Sequence, residues 1–532
     1  MRTVAVAAIV IGLGNIASRL LGLVREQVMA ALFGATGATD AFVVASAVPQ
    51  IVYDLLVGGA ISAALVPVFV DAAEDDDRLW RLASAVLTLA AVLLAVVALA
   101  LGLMAPLVID LLAPGFGPEQ QAEAVPMVRV MLVAVVLQGL AGVLTAILYA
   151  RRRFGRPAFA VAVYNGGIIL GALLLHQAFG VYALVVGVLL GAVGQLALQL
   201  VGLGRLRYYP GLGLDRAEVR TILRLYGPVA LGMIVTIVGI VIDRNLASRL
   251  AEGSLSVMNY ATRLIQFPIG LVGTAVSFAV LPSLSKHASG LAATDADEVA
   301  LAADRHGYRE TLLFGIRLIL LLMVPATAGL IVLREPLVQL LFERGRFGEV
   351  ETARTALVFL AYAPQLPFTA LDQLLIVAFY ARKDTRTPVL VGVAGVGLYL
   401  ISALALIGPL DVAGLALANA IQNSAHGLVL LALLERSARV AGAGLPLLDR
   451  ALAGFVLKVL LATLGMALAL RLFAGLALPS TGDARAVGIA LVLATLLALA
   501  VYATLLEALG VRDSRLVWSL LSERLTGRER KA

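Results

Sequence analysis

Long apolar runs alternate with short polar breaks along the whole chain. Runs bounded by Pro, Gly or charge fall at residues 3–32, 38–70, 80–112, 124–150, 157–179, 181–204, 217–250, 255–285, 310–333, 351–380, 387–408, 411–434, 449–475 and 484–509. Each is about as long as the roughly 20 apolar residues that carry a helix across a bilayer. The runs are continuous instead of alternating in period two, so the pattern predicts fourteen transmembrane helices and not a barrel. The second run is long enough to bend and holds Pro49, Gly58, Gly59 and Pro67. The first continues past residue 30 without a small-residue cleavage signature, so it reads as a retained span.

Composition agrees: 61% of the 532 residues are apolar and 14% charged, against about half and about a quarter in soluble domains. There is no cysteine, which excludes disulfides and thiolate chemistry. The net charge is +7, and the basic residues gather in even-numbered connections. These are "ARRRFGR" after run four, Arg205, Arg207, Arg216 and Arg220 after run six, "ARKDTR" after run ten, and the C-terminal tail. That placement reads as membrane orientation, not nucleic-acid binding, and puts both termini in the cytoplasm. Odd connections are poor in Lys and Arg, except that Arg344 and Arg346 stand among Glu343 and Glu349. The tail "SRLVWSLLSERLTGRER" reads equally as a helix lying on an anionic membrane face or as a solvated segment.

The two halves echo each other. Tyr149-Ala150-Arg151-Arg152, followed by Pro157, matches Tyr380-Ala381-Arg382-Lys383, followed by Pro388, at an offset of 231. "ASRL" at 17–20 recurs at 247–250, and "AISAALVP" at 60–67 matches "AVSFAVLP" at 275–282. A repeat of six spans keeps both copies in the same direction across the membrane. The expected organisation is an N-terminal lobe at 1–209, a C-terminal lobe at 210–440, and two further helices with a basic tail at 441–532. Lobes of this kind enclose a cavity and rock to give alternating access.

Charges inside spans are costly, about 2.5–3.5 kcal/mol each at mid-bilayer on insertion scales, and so require a reason. They are Arg19, Arg25 and Glu26 in run one, Asp40 and Asp54 in run two, Asp243, Arg244 and Arg249 in run seven, Arg263 in run eight, Asp372 in run ten and Lys458 in run thirteen. Gly14, Ser18, Gly22 and Arg25 share one helical face, where small residues admit another helix or a substrate. Arg19 and Glu26 share a different face and read as structural partners. Arg25 and Arg263 have no acid at i±4, and a planar guanidinium suits an anionic, phosphate-bearing ligand. Asp243 fits either an ion or proton site or a pair with Arg249. No H-E-x-x-H, G-x-S-x-G or Walker A sequence occurs, and the four histidines (His176, His287, His306, His426) lack ligand spacing. No enzyme activity and no metal are expected, and transport must draw on an ion, voltage or substrate gradient.

"SRLLGLVRE", "GATDAFVVA" and "AISAALVP", together with "NYATRLIQFPIGLVGTAVSFAVLPSLSK" and "FYARKDTRTPV", resemble the MurJ (MviN) lipid II flippases of the MOP exporter superfamily. The resemblance extends over runs one to twelve. It implies an all-α membrane protein with two pseudo-symmetric six-helix lobes around a central cavity and two extra C-terminal helices. It also implies movement of lipid II, a polyprenyl-diphosphate-linked peptidoglycan precursor, from the inner to the outer leaflet of the bacterial plasma membrane. The implied partners are that lipid-linked precursor, membrane lipids and cell-wall synthesis proteins, for a monomer with no cofactor beyond a coupling cation (Na+ or H+) or the membrane potential. By motif position Arg25 and Arg263 carry over as diphosphate ligands, with Arg19, Glu26 and Asp40 in support. The family's second-span basic pair does not carry over: Tyr53 and Asp54 stand there, and Gly58 replaces a later acidic residue. That removes positive charge from the cavity and adds, in Asp54, a carboxylate able to pair with Arg25 or Arg263. Asp243 fits the seventh-span position of the family's sodium site, but no Asp or Asn lies between Leu390 and Ile407. Two other readings stay open: another transporter of the superfamily (a lipid-linked oligosaccharide flippase or cation-coupled drug exporter) and a non-transporting paralogue.

Overall fold

The computed structural model describes residues 2–58, 61–204, 207–214, 216–291, 297–440, 446–477 and 484–511. Among them all regular structure is helical, because a bilayer offers no partner for a backbone N–H or C=O and the helix satisfies both internally. Numbered by run, α1 is Arg2–Phe33, α2 Gly37–Tyr53, α3 Asp76–Leu103, α4 Pro118–Ala150, α5 Ala160–Phe179, α6 Tyr182–Leu203 and α7 Ala217–Ala247. Then follow α8 Ser254–Pro268, α9 Glu298–Val332 and α10 Leu366–Ala381, the last preceded by Glu349–Tyr362 and a 3₁₀ turn at Ala363–Gln365. The helix Arg386–Val440 is two spans, since Asp411 (φ 50°, ψ −135°) divides α11 (386–410) from α12 (412–440). Arg450–Ala477 is α13 and Ala484–Ala508 is α14. Every predicted run therefore has its helix. The tail beyond 511, Gly59 and Arg205 lie outside the described residues.

Two boundaries have local causes. The acidic stretch before run three is a helix start: Asp75 accepts hydrogen bonds from the N–H groups of Asp77 (2.9 Å) and Arg78 (3.3 Å). Asp76 and Asp77 then occupy the first turn, where the helix dipole favours negative charge. Run three does not continue as one helix to 112, because α3 ends at Met104 and a separate short helix spans Ala105–Leu112.

The sequence repeat reappears in backbone geometry. The predicted bend in run two is a π-helical turn at Asp54–Gly58 with a second at Ile61–Leu65, before the helix Val66–Ala72. Run eight bends through a π turn at Ile269–Gly273 and continues as Thr274–Leu291. The turns at 54–58 and 269–273 are related by the offset of 215 that aligns "AISAALVP" with "AVSFAVLP". The offset of 231 also recurs, since Arg152 (φ 57°) and Lys383 (φ 59°) both adopt left-handed backbone. Beyond them the N–H of Arg153 bonds the carbonyl of Leu148 (2.8 Å) and that of Asp384 bonds Phe379 (3.0 Å), the Schellman closure of α4 and α10. Gly180 (φ 53°) and Asp411 (φ 50°) repeat the offset between α5 and α6 and between α11 and α12.

The chain forms two compact units. The first runs to Tyr260 and takes in Phe342–Glu351; the second comprises Ala261–Leu341 and the residues from Thr352 onward. In the first unit, even-numbered connections meet on one face: Arg151 pairs with Asp76, and Arg207 lies 2.9 Å from Asp77 and 3.8 Å from Asp76. Odd-numbered connections meet on the other: the N–H of Arg346 bonds Ala31 O (2.9 Å) and that of Gly115 bonds Ser248 Oγ (3.2 Å). This sorting is what alternating membrane crossings require. In the second unit, buried Glu435 on α12 accepts from the N–H groups of Leu447 (2.6 Å) and Leu448 (3.2 Å), fixing the entry to α13.

The Gly180/Asp411 pair gives a stability test. Their φ/ψ suits glycine, and a side chain there costs on the order of 1–3 kcal/mol. Asp411→Gly is expected to raise the thermal unfolding temperature of the detergent-solubilised protein, and Gly180→Asp to lower it.

Candidate functional site

The small-residue face of α1 closes on a helix. A Cβ at Gly14 would stand 2.2 Å from the carbonyl oxygen of Ala158, and one at Gly22 would stand 3.7 Å from Asn165 Nδ2. Asn165 on α5 donates from Nδ2 to the carbonyl of Ser18 at 3.3 Å. The Gly14-Ser18-Gly22 stripe is thus a seam between helices, and the substrate alternative at those three residues gives way to the packing one.

Arg25 emerges from that seam. Its Nη1 donates to Asn165 Oδ1 at 3.1 Å and its Nη2 to Glu26 Oε1 at 2.5 Å. Glu26 is 1% exposed, and its Oε2 accepts from Asn259 Nδ2 at 3.0 Å. Of the two residues read as structural, Glu26 is the buried carboxylate that holds the adjacent Arg25, while Arg19 is exposed. A guanidinium carries five N–H donors. Arg25 uses one on Asn165 and one on Glu26, and the side chain remains 20% exposed. The group is therefore anchored on one side and has donors to spare on the other. An oxyanion with several acceptor oxygens is the ligand that geometry suits.

Asp40 does a different job. It is 3% exposed and accepts from Gly253 N (2.7 Å), Ser256 N (2.8 Å) and Ser256 Oγ (2.6 Å). Those groups lie at the start of α8, where backbone N–H groups lack helical partners, so Asp40 caps that helix from α2. Gly253 is required there: its φ is +83°, and a Cβ would stand 2.3 Å from Ala35 O.

Tyr53 and Asp54 mark the passage from α-helix to π turn in run two. Asp54 accepts from Gln50 Nε2 at 2.8 Å, one turn back, and joins no ion pair among the described residues. A neutral amide on its own helix meets the carboxylate, and Arg25, which is held by Glu26, is not its partner. Arg263, exposed on α8 in the second unit, donates to Gln266 Oε1 at 3.4 Å. Asp243 is half-buried on α7. Arg249, one of the two alternatives for it, donates to Asn245 Oδ1 at 3.1 Å, one turn before it. Among the described residues no group of three or more His, Asp or Glu is placed to hold a metal ion.

Sequence reasoning missed Asn165 and Asn259, which orient the Arg25–Glu26 pair from other helices. Neutral amides carry no charge, and charge is what marks a residue within a span. It also treated His426 as isolated, whereas its Nδ1 lies 2.6 Å from Asp372 Oδ1.

Comparison with known proteins agrees with this architecture. The family described as lipid II flippase MurJ matches residues 29–481. The lipid II flippase MurJ of Burkholderia cenocepacia is 33% identical over 388 residues, covering 71% of this chain and 73% of that protein. The probable lipid II flippase MurJ of Bdellovibrio bacteriovorus is 29% identical over 516 residues, covering 95% and 94%. Among solved structures, a lipid II flippase MurJ in an inward closed conformation shares the fold at a TM-score of 0.77 and 23% identity, over 94% of this chain and 99% of that one. An inward-facing multidrug resistance MATE transporter of the MOP superfamily follows at 0.64 and 16%, over 80% and 95%.

The two carboxylates of α2 and its π turn separate by role. Asp40→Ala removes the acceptor of three hydrogen bonds, each worth about 1.5–3 kcal/mol, leaves their donors unpaired, and is expected to destabilise the solubilised protein severely. Asp54→Ala removes one bond to a partly exposed amide and is expected to cost less than about 1 kcal/mol, read by the same unfolding assay.

Proposed function

The chain belongs to the MurJ family of lipid II flippases, and from that premise we propose how its own residues carry lipid II across the bacterial plasma membrane. The observation that supports the reading most directly is Arg25: a guanidinium inside a span, held by Asn165 and Glu26, with donors left over on a partly exposed side chain. A lipid diphosphate brings several acceptor oxygens and a charge that offsets the cost of a cation in hydrocarbon. Arg25 and Arg263 are assigned to the diphosphate, Glu26 and Asn259 to the orientation of Arg25, and Asp40 to the scaffold. Lysine in place of Arg25 would keep the charge but lose the fork that grips two oxygens at once.

The polyprenyl chain needs no recognition beyond hydrocarbon, so selectivity rests on the head group. With Tyr53 and Asp54 where the family carries basic residues, the second span adds no cation to that task. The diphosphate here relies on fewer guanidinium groups, and Gln50 keeps Asp54 turned along its own helix. Alternating access of lobes at 1–209 and 210–440 drives the transfer, with 441–532 as an appendage and both termini cytoplasmic by the distribution of Arg and Lys. An exporter of cationic drugs is the less supported reading, because a cationic cargo would meet Arg25 and Arg263.

The test is rescue of a bacterium depleted of its own lipid II flippase. The wild-type chain is expected to restore growth, Arg25→Ala and Arg263→Ala to fail at equal membrane abundance, and Arg25→Lys to rescue partly. No rescue by well-expressed wild type contradicts lipid II as cargo, and full rescue by both alanine variants contradicts the assigned residues.

A further inference from the structure

Three helices of the second unit meet at one histidine. His426 on α12 places Nδ1 2.6 Å from Asp372 Oδ1 on α10, and Nε2 3.2 Å from the carbonyl oxygen of Pro388 in the first turn of α11. Both side chains are largely buried, at 14% and 18% exposed. Two glycines border the pair, and Gly427 is the one whose lack of a side chain matters for the approach. A Cβ on Gly392 would stand 3.7 Å from Nε2, and one on Gly427 would stand 3.0 Å from the carbonyl of Phe368 and 3.6 Å from Asp372 Cβ.

The proton count follows from the contacts. A carboxylate and a carbonyl are both acceptors, and a neutral imidazole has one N–H to give. To bond both, the site must hold one proton beyond a carboxylate and a neutral ring. Either the ring is an imidazolium, or Asp372 is protonated and donates to Nδ1 while Nε2–H donates to Pro388. Loss of that proton to water leaves a lone pair facing an oxygen, and one of the two interhelical bonds is lost. Asp372 is the acidic side chain in contact with the ring. The charged groups of neighbouring elements are engaged elsewhere: His287 with Asp304 (2.9 Å), Arg309 with Asp449 (2.6 Å), Arg317 over the ring of Phe455 (5.9 Å), and Arg382 with Ser437 Oγ (2.7 Å).

The fold does not need this pair. At the offset of 231, the first half of the chain has Pro157 for Pro388, but Ala141 for Asp372 and Gln195 for His426. The same arrangement of α4, α5 and α6 is therefore built without a titratable group, and the pair is an addition to the second copy.

We propose that Asp372 and His426 form the binding site of a coupling proton, whose occupancy ties α10 and α11 to α12. The proposal rests on the flippase reading for its link to transport, while the site itself is testable without cargo. A hard metal cation is a poor alternative occupant, since such ions take several oxygen ligands and here an imidazole already occupies the carboxylate.

The lipid-free full chain provides the first arm. It has no cysteine, so Val389→Cys on α11 and Val429→Cys on α12 accept spin labels selectively. The label-to-label distance is expected to change between roughly pH 5.5 and pH 8, the range in which histidine titrates. It is expected to be invariant in His426→Gln and Asp372→Asn. An invariant distance in the otherwise native background, or an unchanged response in both variants, overturns the proposal. The second arm is lipid II flipping by the reconstituted chain under an imposed pH gradient. The wild-type rate is expected to change several-fold with the gradient, and the variants to flip without that response. Flipping by wild type that ignores the gradient overturns proton coupling and leaves the flippase reading intact. No flipping under any gradient, with a pH-dependent distance in the first arm, removes the flippase reading and leaves the proton site standing.

Discussion

Hydrocarbon supplies no hydrogen-bond partner, so every charge inside a span must find its partner within the protein. That constraint explains why the intramembrane charges fall into different roles. Glu26 is almost fully buried because its two oxygens serve Arg25 and Asn259. Asp40 is buried because it closes three donors at the start of α8. Asp54, less buried, is content with one amide from its own helix. Arg25 alone of this group pairs on one side and keeps donors in reserve, the asymmetry that a guanidinium needs in order to take a ligand.

Duplication supplied the scaffold on which these roles diverged. The Schellman closures at Arg152 and Lys383, the sharp turns at Gly180 and Asp411, and the π turns at 54–58 and 269–273 are the same local solutions used twice. A π turn places one residue too many in a helical turn, so the side chains beyond it are rotated relative to those before it. In the second half the turn follows Arg263 in the same span, whereas in the first it begins at Asp54, one span after Arg25. The copies differ where chemistry was added: Asp54 stands at the first π turn where Ile269 stands at the second.

The fold was legible because hydropathy is a property of single residues summed along a run, and each of the fourteen runs holds a helix among the described residues. The bend in run two was legible from Pro49 and the glycines; the break at Met104 went unread, although Pro106 opens the short helix that follows it. Site residues were legible as charges but not as partners. Neighbours i and i+1 on a helix ordinarily face apart, which hid the Arg25–Glu26 pair; the long arginine side chain bridges the angle. Asn165 and Asn259 act across sequence distances that no spacing rule reaches, while Asn245 accepts from Arg249 one turn away.

The central claim is that the unspent donors of Arg25 bind the cargo's diphosphate. The most direct measurement compares binding of a polyprenyl diphosphate and the matching monophosphate to the reconstituted wild type and Arg25→Ala. The wild type is expected to prefer the diphosphate by about tenfold, about 1.4 kcal/mol, and Arg25→Ala to lose that preference while retaining its affinity for the monophosphate more nearly. An equal preference in both proteins would place the diphosphate elsewhere and leave Arg25 a structural partner of Glu26.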